Sequence, residues 1–434
     1  MSGFLGMRGT GDWVTDQRPK NWRQQILKLY PNGMAPLTAL LSMMGGQATD
    51  DPEFNWWTQE QTAVSGDVYG IYTNADLSTA YVTGGVAGDT LFIKVLTSVA
   101  QRIRNGHQIL LRDASDYRVD VNAKVTDVTR GTTYTTLAVK LLEADDNSTT
   151  HDLSDCDNFK IIGNINPEGG EMPDAIAQNP TKVYNYTQIF RSPLSMTRTA
   201  MKTRLRTPND YQKAKAEALE NHSWEMELAF LWGIRTENVG DNGKPERTTM
   251  GAINFIRQYA SANCDDYTLN TDYSGTTWAS GGETWFKAML EQIFRYGSNE
   301  KLALIGSGAL LGIDALAMTG GQVQLMPGQK TYGMEITRWM TPFGSIYMKT
   351  HPLFSHDPTT RNMMLILEPK ELTYRYIDDT TFYGENSKKE HSSGYGQRRV
   401  DGLNEEFLTE AGLEFGLAQK CALLNGVGLN NTLS

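Results

Sequence analysis

Residues 207–233 read TPNDYQKAKAEALENHSWEMELAFLWG, and the way this stretch starts and stops governs the reading of everything around it. Thr207 offers a hydroxyl cap, Pro208 fills the first helical position with its φ already set, and Asp210 places an acid in the first turn. Gly233 is a stop signal. At ~1.5 Å per residue, a helix from 208 to 232 spans on the order of 37 Å, about the width of a domain. Tyr211, Ala214, Ala218, Trp224, Leu228 and Leu231 form one apolar side, with Glu and Lys on the other. Such a helix is a strut.

Upstream of the strut, residues 183–201 (VYNYTQIFRSPLSMTRTAM) are rich in Tyr, Thr and Phe, and residues 54–72 (FNWWTQEQTAVSGDVYGIY) alternate in places. The two stretches read as the legs of one long hairpin. Between them lie short β-branched runs at 91–93, 108–111, 119–128, 135–142 and 159–162. Gly88-Asp89, Asn105-Gly106 and Arg130-Gly131 punctuate these runs, as expected of a small barrel or sandwich. Residues 143–157 (EADDNSTTHDLSDCD) read as an exposed acidic loop without the spacing or glycine of a calcium-binding EF-hand. The first 51 residues read as an apolar arm broken by Pro19, Pro31 and Pro36, with Trp22, Ile26 and Leu29 at helical spacing and APLTALLSMM at 35–44. Downstream of the strut, helices are expected at 283–296 and 309–318. Strands are expected at 302–305, 334–340, 345–348, 363–367 and 372–376, and residues 408–424 supply a last strand and a turn or short helix.

Composition narrows the function. The formal net charge of −10 argues against a groove built to grip phosphates. Cys156, Cys264 and Cys421 are far apart, which argues against a disulfide framework and a Cys-based zinc site, and for synthesis in a reducing compartment. The N-terminal residues lack a signal-peptide core, and no run approaches the ~18 apolar residues of a membrane span.

Candidate chemistry is sparse. Gly306, Ser307, Gly308 and Gly312 follow the strand LALI and precede a helix, the setting of a dinucleotide-binding turn. Their spacing is one residue too long, and no strand with a terminal acid follows ~20 residues later. A tight strand-to-helix turn is the simpler reading, and the pattern also misses that of a nucleophile elbow. His351 and His356 are not at the i,i+4 spacing that grips zinc and read as loop histidines. His222 reads as a surface residue beside Glu225. Basic stretches at 191–206 and 388–399 read as solvated faces, or as partners for acids across a subunit boundary.

The order of pieces resembles the major capsid proteins of tailed bacteriophages, which have the Hong-Kong-97-like fold. The resemblance rests on RPKNWRQQILKLYPNGMAPLTALLS, DDPEFNWW, NYTQIFRSPLSMTRTA, ELAFLWG, RTTMGAINFI, FGSIYMKTHPLF and TEAGLEF, in that sequence. It implies an α+β chain: an N-terminal arm (1–52), E-loop legs (53–86 and 164–204) with an inserted β-domain (87–163), a peripheral domain (205–245 and 355–434) whose spine helix is 208–232, and an axial domain (246–354). It further implies a structural protein without catalysis, cofactor or metal, assembled in the host cytoplasm into hexamers and pentamers of an icosahedral head around double-stranded DNA. That DNA would be held by non-specific contact. Scaffold, decoration and portal proteins are the implied further partners, with no membrane involved. Trp22, Trp56, Trp57 and Phe190 are the aromatic candidates for subunit contacts, with Arg198 and Arg204 as basic ones. An encapsulin-like compartment, and a nucleotide enzyme using the turn at 306–312, are the alternatives.

Overall fold

The computed structural model describes residues 36–44, 46–59, 64–115, 120–145, 153–170, 172–173, 175–177, 179–203, 210–320, 325–331, 334–384 and 402–433. The fold is α+β and divides into two compact units, residues 57–181 and the remainder.

The smaller unit is a closed six-stranded barrel. Its strands run in the order Ser65–Tyr72, Thr90–Leu96, Tyr134–Leu141, Asp120–Thr129, His107–Arg112 and Asn158–Asn164, the last returning to the first. Alternate residues point inward, so Ile93, Val95, Ile109, Leu111, Val125, Leu137 and Val139 fill the core. Each of the short β-branched runs holds a strand among the described residues, as the sequence indicates. Two expectations are corrected. Residues 65–72, assigned to a hairpin leg, are a barrel strand with Ile71 in the barrel core. Asp145, assigned to an exposed loop, is buried, accepting from the Tyr81 hydroxyl at 2.5 Å and from the Leu153 amide at 3.0 Å.

The expected long hairpin is not formed either. Among the described residues of the two legs, only Glu53–Thr58 and Thr181–Tyr186 pair, as a two-stranded ribbon. The next strand, Gln188–Thr197, instead pairs with Gly402–Phe415, from Gln188↔Ala411 to Thr197↔Gly402. It forms one edge of a four-stranded sheet completed by Leu372–Tyr383 and the short strand Gly46–Ala48. The Thr- and Tyr-rich alternation at 183–201 is genuine strand pattern, but period-2 alternation does not name the partner.

The larger unit is built on the strut helix, Asp210–Trp232. Residues 204–209, with the Thr207 cap and Pro208, lie outside the described residues. The helix ends where expected: the Gly233 amide bonds Ala229 O at 2.8 Å, and a Cβ on Gly233 would sit 2.3 Å from Thr249 O, so no larger residue fits. The buried face differs from the expected stripe. His222, Met226, Glu227, Phe230 and Leu231 are buried, whereas Leu228 is exposed. Two polar residues on the core face hid the true stripe.

A seven-stranded mixed sheet lies beside this core. Its strands are, in order, Cys264–Asp266, Ala422–Asn425, Met364–Leu367, Glu300–Ile305, Ser345–Thr350, Met334–Met340 and Leu325–Thr331. Its central strands are apolar at successive positions because both faces are covered. Leu304, Leu365, Leu367 and Leu423 join the strut core. Ala303, Ile305, Ile366 and Leu424 join a second core under helices Trp278–Ile293 and Ser307–Gly320. Met364–Leu367 and Ala422–Asn425, expected in the peripheral domain, lie in the same sheet as Glu300–Ile305 and Ser345–Thr350, expected in the axial one.

The arm helix, Pro36–Met44, packs Leu37 and Leu41 into the strut core, joined there by Phe230, Phe354 and Tyr374. Phe230→Ala is expected to destabilise the unit by about 3–5 kcal/mol, while Leu228→Ala changes stability by no more than about 0.5 kcal/mol. Urea midpoints of the two variants check this assignment of faces.

Candidate assembly surface

Strand alternation separates the two adjacent tryptophans. Trp56 packs against the strut core, with its ring 6.0 Å from Phe54 and 6.1 Å from Phe255. Trp57, the next residue and so on the opposite side of the strand, is 67% exposed. Phe190, expected at a subunit contact, is 5% exposed and lies edge-on to His222 and Phe230. Its burial is already provided by its own chain. Arg198 is exposed, at the start of the short helix Arg198–Lys202. Trp22 and Arg204 lie outside the described residues. Of the four described candidates, Trp56 and Phe190 are turned into the chain's own core, while Trp57 and Arg198 are exposed on different elements.

Other exposed apolar side chains are ones the sequence did not single out. Val239, in the hairpin Thr236–Val239/Pro245–Thr248 that follows the strut, is 80% exposed. Ile189 opens onto a cleft of about 390 Å³ that Lys244, Glu246, Arg247 and Glu410 also line. That charged lining lacks the apolar enclosure of a small-molecule site. In the helix Ser307–Gly320, Leu311 is 61% exposed. The basic stretch at 191–206 is partly committed within the chain, because Arg191 forks onto Glu406 at 2.6 and 2.9 Å.

The buried polar groups are better organised than the surface. His222 is not a surface residue. It is 1% exposed, with Nδ1 2.9 Å from Ser192 Oγ and Nε2 2.7 Å from Thr409 Oγ1. Burial lowers its pKa, against a smaller upward pull from Glu225, and this favours the neutral ring. His351 is not a loop histidine either: it is fully buried, and its Nε2 lies 2.8 Å from Glu227 Oε1. Glu227, also fully buried, accepts from the amides of Leu37 at 2.9 Å and Thr38 at 2.7 Å, and from the Thr38 hydroxyl at 2.6 Å. Lys301 and Glu368 form a second buried pair at 3.2 Å, with the lysine also donating to Tyr296 O and Lys420 O. The sequence signal for these sites is weak. Glu227 falls in register with Leu231 and close to Met226 on the helix, but a carboxylate at a core position reads as the edge of the polar face.

The turn at 306–312 is filled by its own chain. A Cβ on Gly306 would lie 2.2 Å from Arg361 O, and one on Gly312 would lie 2.4 Å from Gly428 Cα. The Ser307 amide bonds Ser355 Oγ at 3.1 Å and the Ala309 amide bonds Arg361 O at 3.1 Å. Amides that a pyrophosphate would need are already in use. Burial pushes the thiols of Cys156 and Cys421 up to about 12, which removes nearly all nucleophilic thiolate at neutral pH. Among the described residues, no group of three or more His, Cys, Asp or Glu could hold a metal ion, and no helix is long and apolar enough to cross a membrane.

Comparison with known proteins adds a family. The model of the SU10 major capsid protein family matches residues 8–428. A major capsid protein of Pseudomonas phage PaMx41 is 23% identical over 444 residues, covering 98% of this chain and 97% of the relative. Among solved structures, the holo-SrpI encapsulin complex of Synechococcus elongatus aligns at a TM-score of 0.38 and 10% identity, over 58% of this chain and 77% of that one. The satellite phage P4 procapsid aligns at 0.36 and 12%, over 62% and 79%. Scores of this size leave the structural likeness without force; the family match does not depend on them.

If the turn at 306–312 held a nucleotide, 1 mM NAD or ATP at a Kd near 10 μM would stabilise the chain by about 2.7 kcal/mol. The expected thermal midpoint is unchanged by either ligand.

Proposed function

The chain belongs to the SU10 major capsid protein family and is a phage major capsid protein, and on that premise we propose that its copies close into hexamers and pentamers of an icosahedral head around double-stranded DNA. The observation that carries this reading is that the family match runs through both units, barrel included. The role is structural. Assembly takes place in the host cytoplasm, with scaffold, decoration and portal proteins as further partners, and the packaged DNA is held by non-specific contact. The Hong-Kong-97-like reading supplies the roles of the parts: Asp210–Trp232 as spine helix, the ribbon Glu53–Thr58/Thr181–Tyr186 as the base of the E-loop, and the barrel as its insert.

Physical chemistry favours many weak contacts. Exposed side chains such as Trp57, Val239 and Leu311 lie on separate elements. No single one anchors a tight dimer, but repetition around a closed shell multiplies modest affinities.

Negative-stain electron microscopy of the purified chain is the direct test. Closed shells, or rings of five and six, are expected; monomers that persist when scaffold is supplied would sink the reading. Arm removal needs a cut chosen from the structure. Deleting through residue 51 would strip Leu37, Leu40 and Leu41 from the core, so the clean truncation removes 1–35. It is expected to give a folded subunit that forms no shells. Trp57→Ala is expected to leave the thermal midpoint within about 1–2 °C, since exposed substitutions cost little, while lowering shell yield in sedimentation.

A further inference from the structure

We infer that Glu227 is the residue that positions the N-terminal arm for assembly, by capping the arm helix from the strut. This rests on the capsid reading for its consequence, but not for its geometry. A helix begins with four amides that have no partner inside it. The residue before Pro36 is Ala35, whose side chain carries no acceptor. The amides of Leu37 and Thr38 are bonded instead by a carboxylate 190 and 189 residues away in sequence.

That carboxylate is saturated. Oε1 takes the Leu37 amide and the His351 ring, and Oε2 takes the Thr38 amide and hydroxyl. Four donors from two other segments leave no lone-pair site over. The negative charge also faces the positive end of the arm helix, where it is favoured. Glu227, Leu37 and His351 are all fully buried, so water does not substitute for any of these bonds without opening the core. The point from which the rest of the arm departs is thereby fixed on the strut, one turn from its end at Trp232. Glu227 is a positioning residue: it touches no neighbour itself, and acts by holding the arm.

The test compares full-length chains carrying Thr38→Val, Thr38→Pro and Glu227→Gln, by hydrogen exchange and by shell yield. Thr38→Val deletes the hydroxyl bond. Thr38→Pro also deletes an amide in the first turn, where proline is tolerated, and leaves the strut and His351 untouched. Losing hydrogen bonds to a charged group is expected to speed exchange in residues 36–44 by about tenfold or more. Exchange in the sheet strand Glu300–Ile305 is expected to stay at the wild-type rate, and shell yield to fall. A general loss of folding would raise exchange in both segments. Wild-type protection at 36–44 in Thr38→Pro would overturn the inference, as would lost protection with undiminished shell formation. If the unaltered chain forms no shells, the capsid reading is what fails, and exchange at 36–44 still decides whether Glu227 holds the arm.

Discussion

One buried carboxylate ties the larger unit together. Glu227 lies on the strut helix, the arm helix begins on it, and His351, which follows the central strand Ser345–Thr350, donates to it. An unpaired carboxylate in such a place would be among the costliest groups a protein can bury. It is tolerable only because four donors converge on it, and each donor is brought by a segment that would otherwise have to be held by packing alone. Magnitudes show why packing alone is insufficient for the arm helix. Burying Leu37, Leu40 and Leu41 contributes about 6 kcal/mol. Ordering the backbone of its nine residues costs roughly 9–18 kcal/mol. Three hydrogen bonds to a charged group add about 4.5–9 kcal/mol, which brings the two sides level.

Around that hub the chain divides its apolar residues among three cores. The seven-stranded sheet separates two of them, and the barrel encloses the third. The sheet can do this because its central strands carry runs of consecutive buried apolar residues, Leu302–Ile305 and Met364–Leu367, and so serve both sides at once. The barrel needs no partner sheet, since closure removes its edges. A subunit with closed cores can be stable before it meets another copy. Its exposed side chains are then free to make contacts that are individually weak.

How much of this was legible in the sequence depends on the kind of signal. Elements defined by local chemistry were readable: the barrel strands between glycine turns, the strut stopping at Gly233, and the strand LALI flowing into a helix. Relations between distant segments were not. Residues 183–201 look like a hairpin leg because they alternate, yet residues 188–197 pair with a strand more than two hundred residues away. His222 was placed on the surface, His351 in a loop and the strut's glutamates on its polar side, because polar residues usually lie outside. What makes them core residues is three-dimensional, namely Ser192 and Thr409 for one and two arm amides for another. Phe190 illustrates the converse error. Its aromatic ring suggested an interface, but the chain had already used it.

The glycines at 306–312, read from the sequence as a tight strand-to-helix turn in preference to a dinucleotide site, are such a turn. A glycine-rich turn between a strand and a helix has two physical causes: room for a phosphate, or room for the protein's own backbone. The sequence is identical in form for both. Only the occupant separates them, and in this chain it is the carbonyl of Arg361 and the Cα of Gly428. The helix that follows keeps Leu311 outward while Gly312 and Ile313 face in. The turn therefore serves packing on one side and leaves an apolar side chain exposed on the other, an arrangement suited to a subunit that must be complete in itself and still have something to offer a neighbour.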